Sequence, residues 1–175
     1  MIKTYKNTFD IDEIDKLEYL NVINEQLFKN KEIRDMISSK KVNIIIRKQS
    51  TNIEFDGGSK FANGEFKSFY NCINVFTENG TGKCKMSNEL KASLFNHEAG
   101  HVFSEYKKFI DTPKQMILYD EMMNNKALRK YSPYARVNSE EMTAEYFELY
   151  FNKEKFKSQS KEVQEFCKKI INELL

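Results

Sequence analysis

Apolar residues recur along this chain in two periods, and the alternation between them outlines the elements. Over residues 11–30, Ile11, Ile14, Leu17, Leu20, Ile23 and Leu27 are spaced by three and four, which predicts an amphipathic helix with a charged outer face. A second short helix is expected over 31–38, ending at Ser38-Ser39. Val42, Ile44 and Ile46 then alternate with Asn43 and Arg47, a first strand. A further strand is expected over 52–55, stopped by the turn-forming Asp56-Gly57-Gly58-Ser59. The aromatic and β-branched stretch 66–77 predicts one or two more strands, closed by Glu78-Asn79-Gly80-Thr81-Gly82.

Beyond residue 86 the period is helical throughout. Ser87 or Asn88 can cap a helix whose stripe runs Leu90, Leu94, His97, His101, with Phe95 and Val102 beside it. A Met-rich helix is expected over 115–129, offering Met116, Tyr119, Met122, Met123 and Leu128 for burial. After the loop 131–138, Asn138 can cap a helix carrying Glu140, Glu141, Ala144, Glu145 and Phe147. Ser160 can cap a last one through Val163, Phe166, Ile170 and Leu174. The expected fold is α+β: a small mixed sheet, then a mainly helical C-terminal half. The 175 residues suit one domain, with a helix-and-sheet part over 1–86 and a helical part over 87–175.

Charge removes some classes of partner. The formal net charge is +2 with both signs interleaved, so no basic stripe of a nucleic-acid binder is present. No run is apolar enough for a membrane span. The first twenty residues carry five acidic side chains, unlike a signal peptide. Cys72, Cys84 and Cys167 are an odd number without metal-type spacing, which argues against a disulfide framework but leaves one bridge open. A cytoplasmic protein and a mature secreted domain are both compatible with these features, and a monomer is expected.

The chemistry concentrates at His97-Glu98-Ala99-Gly100-His101, which contains both histidines of the chain. On a helix, positions four apart share a face, so two imidazoles can reach one tetrahedral Zn²⁺ while Glu98 stands beside it as a general base. Chance would space two histidines this way about 1 % of the time, and with the intervening glutamate roughly 0.1 %. The alternative, surface histidines on an amphipathic helix, is correspondingly weak. Gly100 inside a helix costs about 1 kcal/mol relative to alanine. A packing reason is expected, such as another backbone approaching beneath the metal.

A catalytic zinc usually takes three protein ligands and leaves a fourth position open. With no third histidine, the remaining ligand falls to a carboxylate or, less usually, a cysteine. The helix starting near Glu140-Glu141 is the richest source, its dipole favouring the charged form. Glu141 and Glu145 share a face, so Glu141 can ligate while Glu145 accepts a hydrogen bond from a ligand histidine. Glu140 could replace Glu141 on these grounds. For substrate, the candidate is an extended peptide added to a sheet edge beside the metal helix. The stretch 71–76, with Asn71, Ile73 and Val75, is one choice for that edge and equally reads as an interior strand. Gly57, Gly58, Gly64, Phe61 and Phe66 could form a flap over the substrate, or a plain connection.

The segment Tyr134-Ala135-Arg136-Val137-Asn138-Ser139-Glu140-Glu141-Met142-Thr143-Ala144-Glu145-Tyr146-Phe147, taken with the histidine motif, resembles the peptidase domain of anthrax lethal factor and its relatives, the clostridial Pro-Pro endopeptidases. In that family a tyrosine precedes the glutamate ligand by seven residues and a second glutamate follows it by four. The resemblance therefore implies Tyr134 rather than Tyr131, Glu141 rather than Glu140, and Glu145 behind them. It implies a zincin-like fold, one Zn²⁺ per chain held by His97, His101 and Glu141, Glu98 as base, and Tyr134 as donor to the oxyanion. The chain has no tryptophan and no counterpart of the loop that selects proline, so Pro-Pro specificity is not carried over.

The expectation is thus a zinc-dependent endopeptidase. Two alternatives remain at this point. The Glu140–Phe147 stretch is loosely similar to cytosolic zinc peptidases that cleave phage-type repressors. A zinc-dependent module that binds a peptide without cutting it is the other, although such a module has no need of Glu98.

Overall fold

The computed structural model describes residues 13–47, 64–76 and 86–175. The expected strand over 52–55, the glycines and aromatic residue at 57, 58 and 61, the turn over 78–82 and Cys84 lie outside the described residues. The fold is α+β and mostly helical, with a three-stranded mixed sheet among the described residues. The chain divides into two compact units, Met1–Glu98 and Ala99–Leu175, the boundary falling inside one continuous helix.

In the first unit, helix α1 (Glu13–Lys29) is followed by α2 (Lys31–Ser39). Helix α1 buries Ile23 of the expected stripe but turns Leu17 outward, 56 % exposed, burying Tyr19 and Val22 beside Ile23 instead. Apolar residues lie on several sides of this helix, so spacing alone did not select the side that packs. Strand β1 (Asn43–Arg47) follows, with Ile44 and Ile46 buried as expected. The expected strand region over 66–77 resolves into β2 (Gly64–Lys67), a 3-10 turn at Ser68–Tyr70 and β3 (Cys72–Phe76). Asn71 closes the turn in the left-handed region at φ 47°, its side-chain Nδ2 donating to Lys40 O at 2.8 Å.

The sheet order is β1-β3-β2, with β3 parallel to β1 and antiparallel to β2. Strand β3 is therefore central, which corrects the reading of 71–76 as the free edge. Ile73 and Val75 are fully buried, and both flanks of β3 are hydrogen-bonded to neighbours. Its almost unbroken apolar run, Cys72-Ile73-Asn74-Val75-Phe76, is that of a strand covered on both faces. Among the described residues, β2 is bonded on one side only and provides an edge.

Helix α3 (Asn88–Tyr106) runs from the first unit into the second and is capped by Ser87, whose Oγ accepts from Leu90 N at 3.2 Å. The second unit is helical. The expected single helix over 115–129 is two: α4 (Pro113–Asn124), capped by Thr112, and α5 (Lys126–Tyr131). Asn125 leaves helical geometry at φ −105°, ψ 119°, and its side chain accepts from Ala127 N and Leu128 N. An asparagine that can cap a new start competes with continuation of the old helix. Then come α6 (Ser139–Phe151), α7 (Lys153–Ser158) and α8 (Lys161–Leu174). The last is capped by Ser160 and buries Val163, Phe166, Ile170 and Leu174, as the sequence predicts. Helix α6 is the core of this unit: Met142, Ala144, Tyr146, Phe147 and Leu149 are all fully buried.

Candidate metal centre

Helix α3 presents His97 and His101 one turn apart, and α6 presents Glu141 in its first turn. Two local features aim Glu141. Asn138 Oδ1 accepts from the Glu141 backbone N–H at 2.7 Å, which sets where α6 begins. Gln115, fully buried on α4, donates from Nε2 to Ser139 O at 3.2 Å and to Thr143 Oγ1 at 3.0 Å, tying down the same turn.

Gly100 lies between the two histidines and meets α6 directly. A Cβ there would stand 2.9 Å from Ala144 Cα and 3.0 Å from Phe147 Cβ. The missing side chain lets the two helix backbones approach closely, the packing reason expected for glycine at this position. One turn further along, the Phe103 and Phe147 rings pack at 4.8 Å between centroids.

The outcome is a cluster of three donors. One ligand atom each from His97, His101 and Glu141 lie within 4.8 Å of one another. His101 Nε2 and Glu141 Oε2 are 3.5 Å apart, with side chains 16 % and 18 % exposed. Two ligands at roughly 2.0–2.1 Å from one tetrahedral ion are about 3.3–3.4 Å apart, so this separation fits joint coordination with little movement. Two imidazoles and one carboxylate are a donor set that could hold a metal ion. The residues present fit a zinc ion.

No family model and no curated protein matches the chain.

Glu98 is 5 % exposed on α3, beside His97. A Cβ built on Gly64, the first residue of β2, would be 2.8 Å from Glu98 Oε1. Thus the start of β2 lies beside this glutamate. Tyr19 of α1 is also nearby in electrostatic terms. Burial first, and then the negative charge of Glu98, push its phenol well above the usual range, so it stays protonated. Its hydroxyl is buried, without a hydrogen-bond partner among the described residues. Sequence reasoning missed both neighbours, because neither is close to Glu98 along the chain.

The remaining candidates are placed as follows. Glu145 stands one turn after Glu141 on α6, part-buried, its carbonyl accepting from Tyr131 Oη at 3.4 Å. Tyr134 opens a 3-10 turn, Tyr134–Arg136, ahead of α6 and is 53 % exposed. That turn is held by Ser132 Oγ, which accepts from Tyr134 N and Ala135 N, and by Tyr119 Oη, which donates to Arg136 O at 2.8 Å. Asn71, Ile73 and Val75 belong to the turn and central strand already described, and are not brought to a free edge. Cys72 and Cys167 are buried, and Cys167 Sγ donates to Tyr146 O at 3.1 Å. No described helix is long and apolar enough to cross a membrane.

Proposed function

We propose that this protein is a zinc-dependent endopeptidase. The observation that carries the reading is the convergence of His97, His101 and Glu141, with ligand atoms within 4.8 Å of one another. The buried Glu98 on the same helix supports hydrolysis over passive binding. A zinc ion held there supplies Lewis acidity and brings the pKa of a water molecule towards about 7. Glu98 accepts the proton of the attacking water and returns it to the departing amine. Tyr134 donates its phenolic hydrogen to the oxygen that gains charge. Glu145 orients a ligand imidazole from behind. The substrate is an extended peptide lying along the side of β2 that is unpaired among the described residues, bound through main-chain hydrogen bonds. The resemblance to the lethal factor peptidase domain and the Pro-Pro endopeptidases points the same way.

The test is mass spectrometry of a diverse peptide library incubated with zinc-loaded protein. Wild type is expected to cut, Glu98→Ala to bind zinc without cutting, and His101→Ala to lose the metal. Turnover retained by Glu98→Ala, or a wild type that binds no zinc, overturns the proposal.

A further inference from the structure

Gly64 has no conformational reason to be glycine. It opens strand β2, pairs with Val75 of β3, and its backbone lies outside the positive-φ region that side chains avoid. Space is the reason. A Cβ there would meet Glu98 Oε1 at 2.8 Å, Cγ at 3.0 Å and Cδ at 3.2 Å, so the outer part of that side chain is crowded. The strand cannot easily withdraw. Its next residues are in register with β3, Glu65 opposite Asn74 and Phe66 opposite Ile73, and Asn74 Nδ2 donates to Glu65 Oε1 at 3.1 Å. Glu98, in contrast, ends in a carboxylate that can rotate, so a methyl group at position 64 displaces the carboxylate first.

We propose that Gly64 is a positioning residue for Glu98: the bare Cα of the edge strand leaves the one space in which the Glu98 carboxylate can stand, and any side chain there moves the base. This rests on Glu98 being the base of the reaction above, but the displacement itself does not. Because the contact is with the side chain's mobile end, the cost appears in function more than in folding. A misplacement on the order of 1 Å can reduce turnover roughly 10²-fold.

The experiment has two arms. In the crystal structure of zinc-free Gly64→Ala, the Glu98 carboxylate is expected in a new rotamer with β2 in its original register. A carboxylate in its original place, with β2 moved aside, overturns the proposal. In the kinetic arm, Gly64→Ala is expected to lower kcat about 10²-fold with KM and zinc content near wild type. A second variant covers poor folding. Glu98→Asp shortens the side chain by one methylene, so this substitution should cost much less in the Gly64→Ala background than alone. Equal costs in both backgrounds, or a wild-type kcat in Gly64→Ala, overturn the proposal. A wild type that cuts no peptide refutes the peptidase reading instead, and the crystallographic arm still decides the role of Gly64.

Discussion

Replacing Gly100 by alanine sets two effects of similar size against each other at the centre of the candidate metal site. Helix propensity favours alanine by about 1 kcal/mol. Against it stands the added methyl, 2.9 Å from Ala144 Cα and 3.3 Å from Ala144 O. These atoms are backbone and cannot rotate away, so the overpacking cost of about 1–3 kcal/mol applies in its upper half. The net expectation is a loss of about 1–2 kcal/mol, or roughly 2–8 °C in Tm for a chain of this size. The larger consequence is for the metal. Ordinary contact begins near 3.4 Å, so α3 and α6 must separate by about 0.5 Å. His101 and Glu141 stand on those two helices, and their 3.5 Å gap already exceeds slightly the separation a shared ion requires. Opening it by a further ~0.5 Å reaches the tolerance of a preorganised site. Zinc affinity should fall about 10- to 100-fold, corresponding to ~1.4–2.8 kcal/mol. Urea unfolding of the zinc-free protein and zinc titration against a competing chelator measure the two terms separately. A variant as stable as wild type with unchanged zinc affinity would show that the helices are not in close contact at Gly100, and the account of the site would fail.

Three further expectations follow from the same geometry. Tyr134→Phe should bind zinc normally and cleave peptides about 10²- to 10³-fold more slowly, and an unchanged rate in the library assay returns Tyr134 to an ordinary surface residue. Gln115→Leu removes donors from Ser139 O and Thr143 Oγ1, both buried, and an acceptor from the part-buried bond to Asp111 N. It should cost about 1–3 kcal/mol in urea unfolding and weaken zinc binding through Glu141, whereas a stability loss without any change in zinc affinity would sever that link. Burial, with a smaller contribution from the Glu148 charge, raises the Cys167 thiol from its ordinary 9.0 to about 12. The native state then keeps a proton that the unfolded chain releases above pH 9, so stability should fall as pH rises through this window, by at most ~1.4 kcal/mol per pH unit. Tyr19, Tyr131 and Tyr146, also raised by burial, add to the decline above pH 10. Cys167→Ala should flatten the decline between pH 9 and 10, and an unaltered slope refutes the assignment.

Much of the candidate site was legible because its parts are local along the chain. The spacing of His97 and His101 places both imidazoles on one face of any helix that contains them. The caps at Ser87, Asn138 and Ser160 follow from hydroxyl or amide side chains ahead of apolar periods. Gly100 announced a close approach because glycine is otherwise costly in a helix. The pairing with Glu141 was narrower than the sequence chemistry itself, since Glu140 has the same functional group one position away. In the structure it is Glu141 whose carboxylate reaches His101.

Tertiary structure decided what depends on partners distant in sequence. Whether a strand is central or at the edge depends on which neighbours bond to it, and for 71–76 two others do. Helix α1 has apolar residues on several sides, and only packing selected Tyr19 and Val22 over Leu17 as the companions of Ile23. The break at Asn125 reflects a competition between propagating one helix and capping the next, which composition leaves nearly balanced. Gly64 is the clearest case. In sequence it is one glycine in a loop-like stretch, and its meaning comes from a glutamate 34 positions later whose carboxylate occupies the space its side chain would fill. The sequence by itself determined the donor types and the helix face that carries them. The fold decided which strand lies beside them, because strand order and backbone approach are set by contacts between elements rather than by spacing within one.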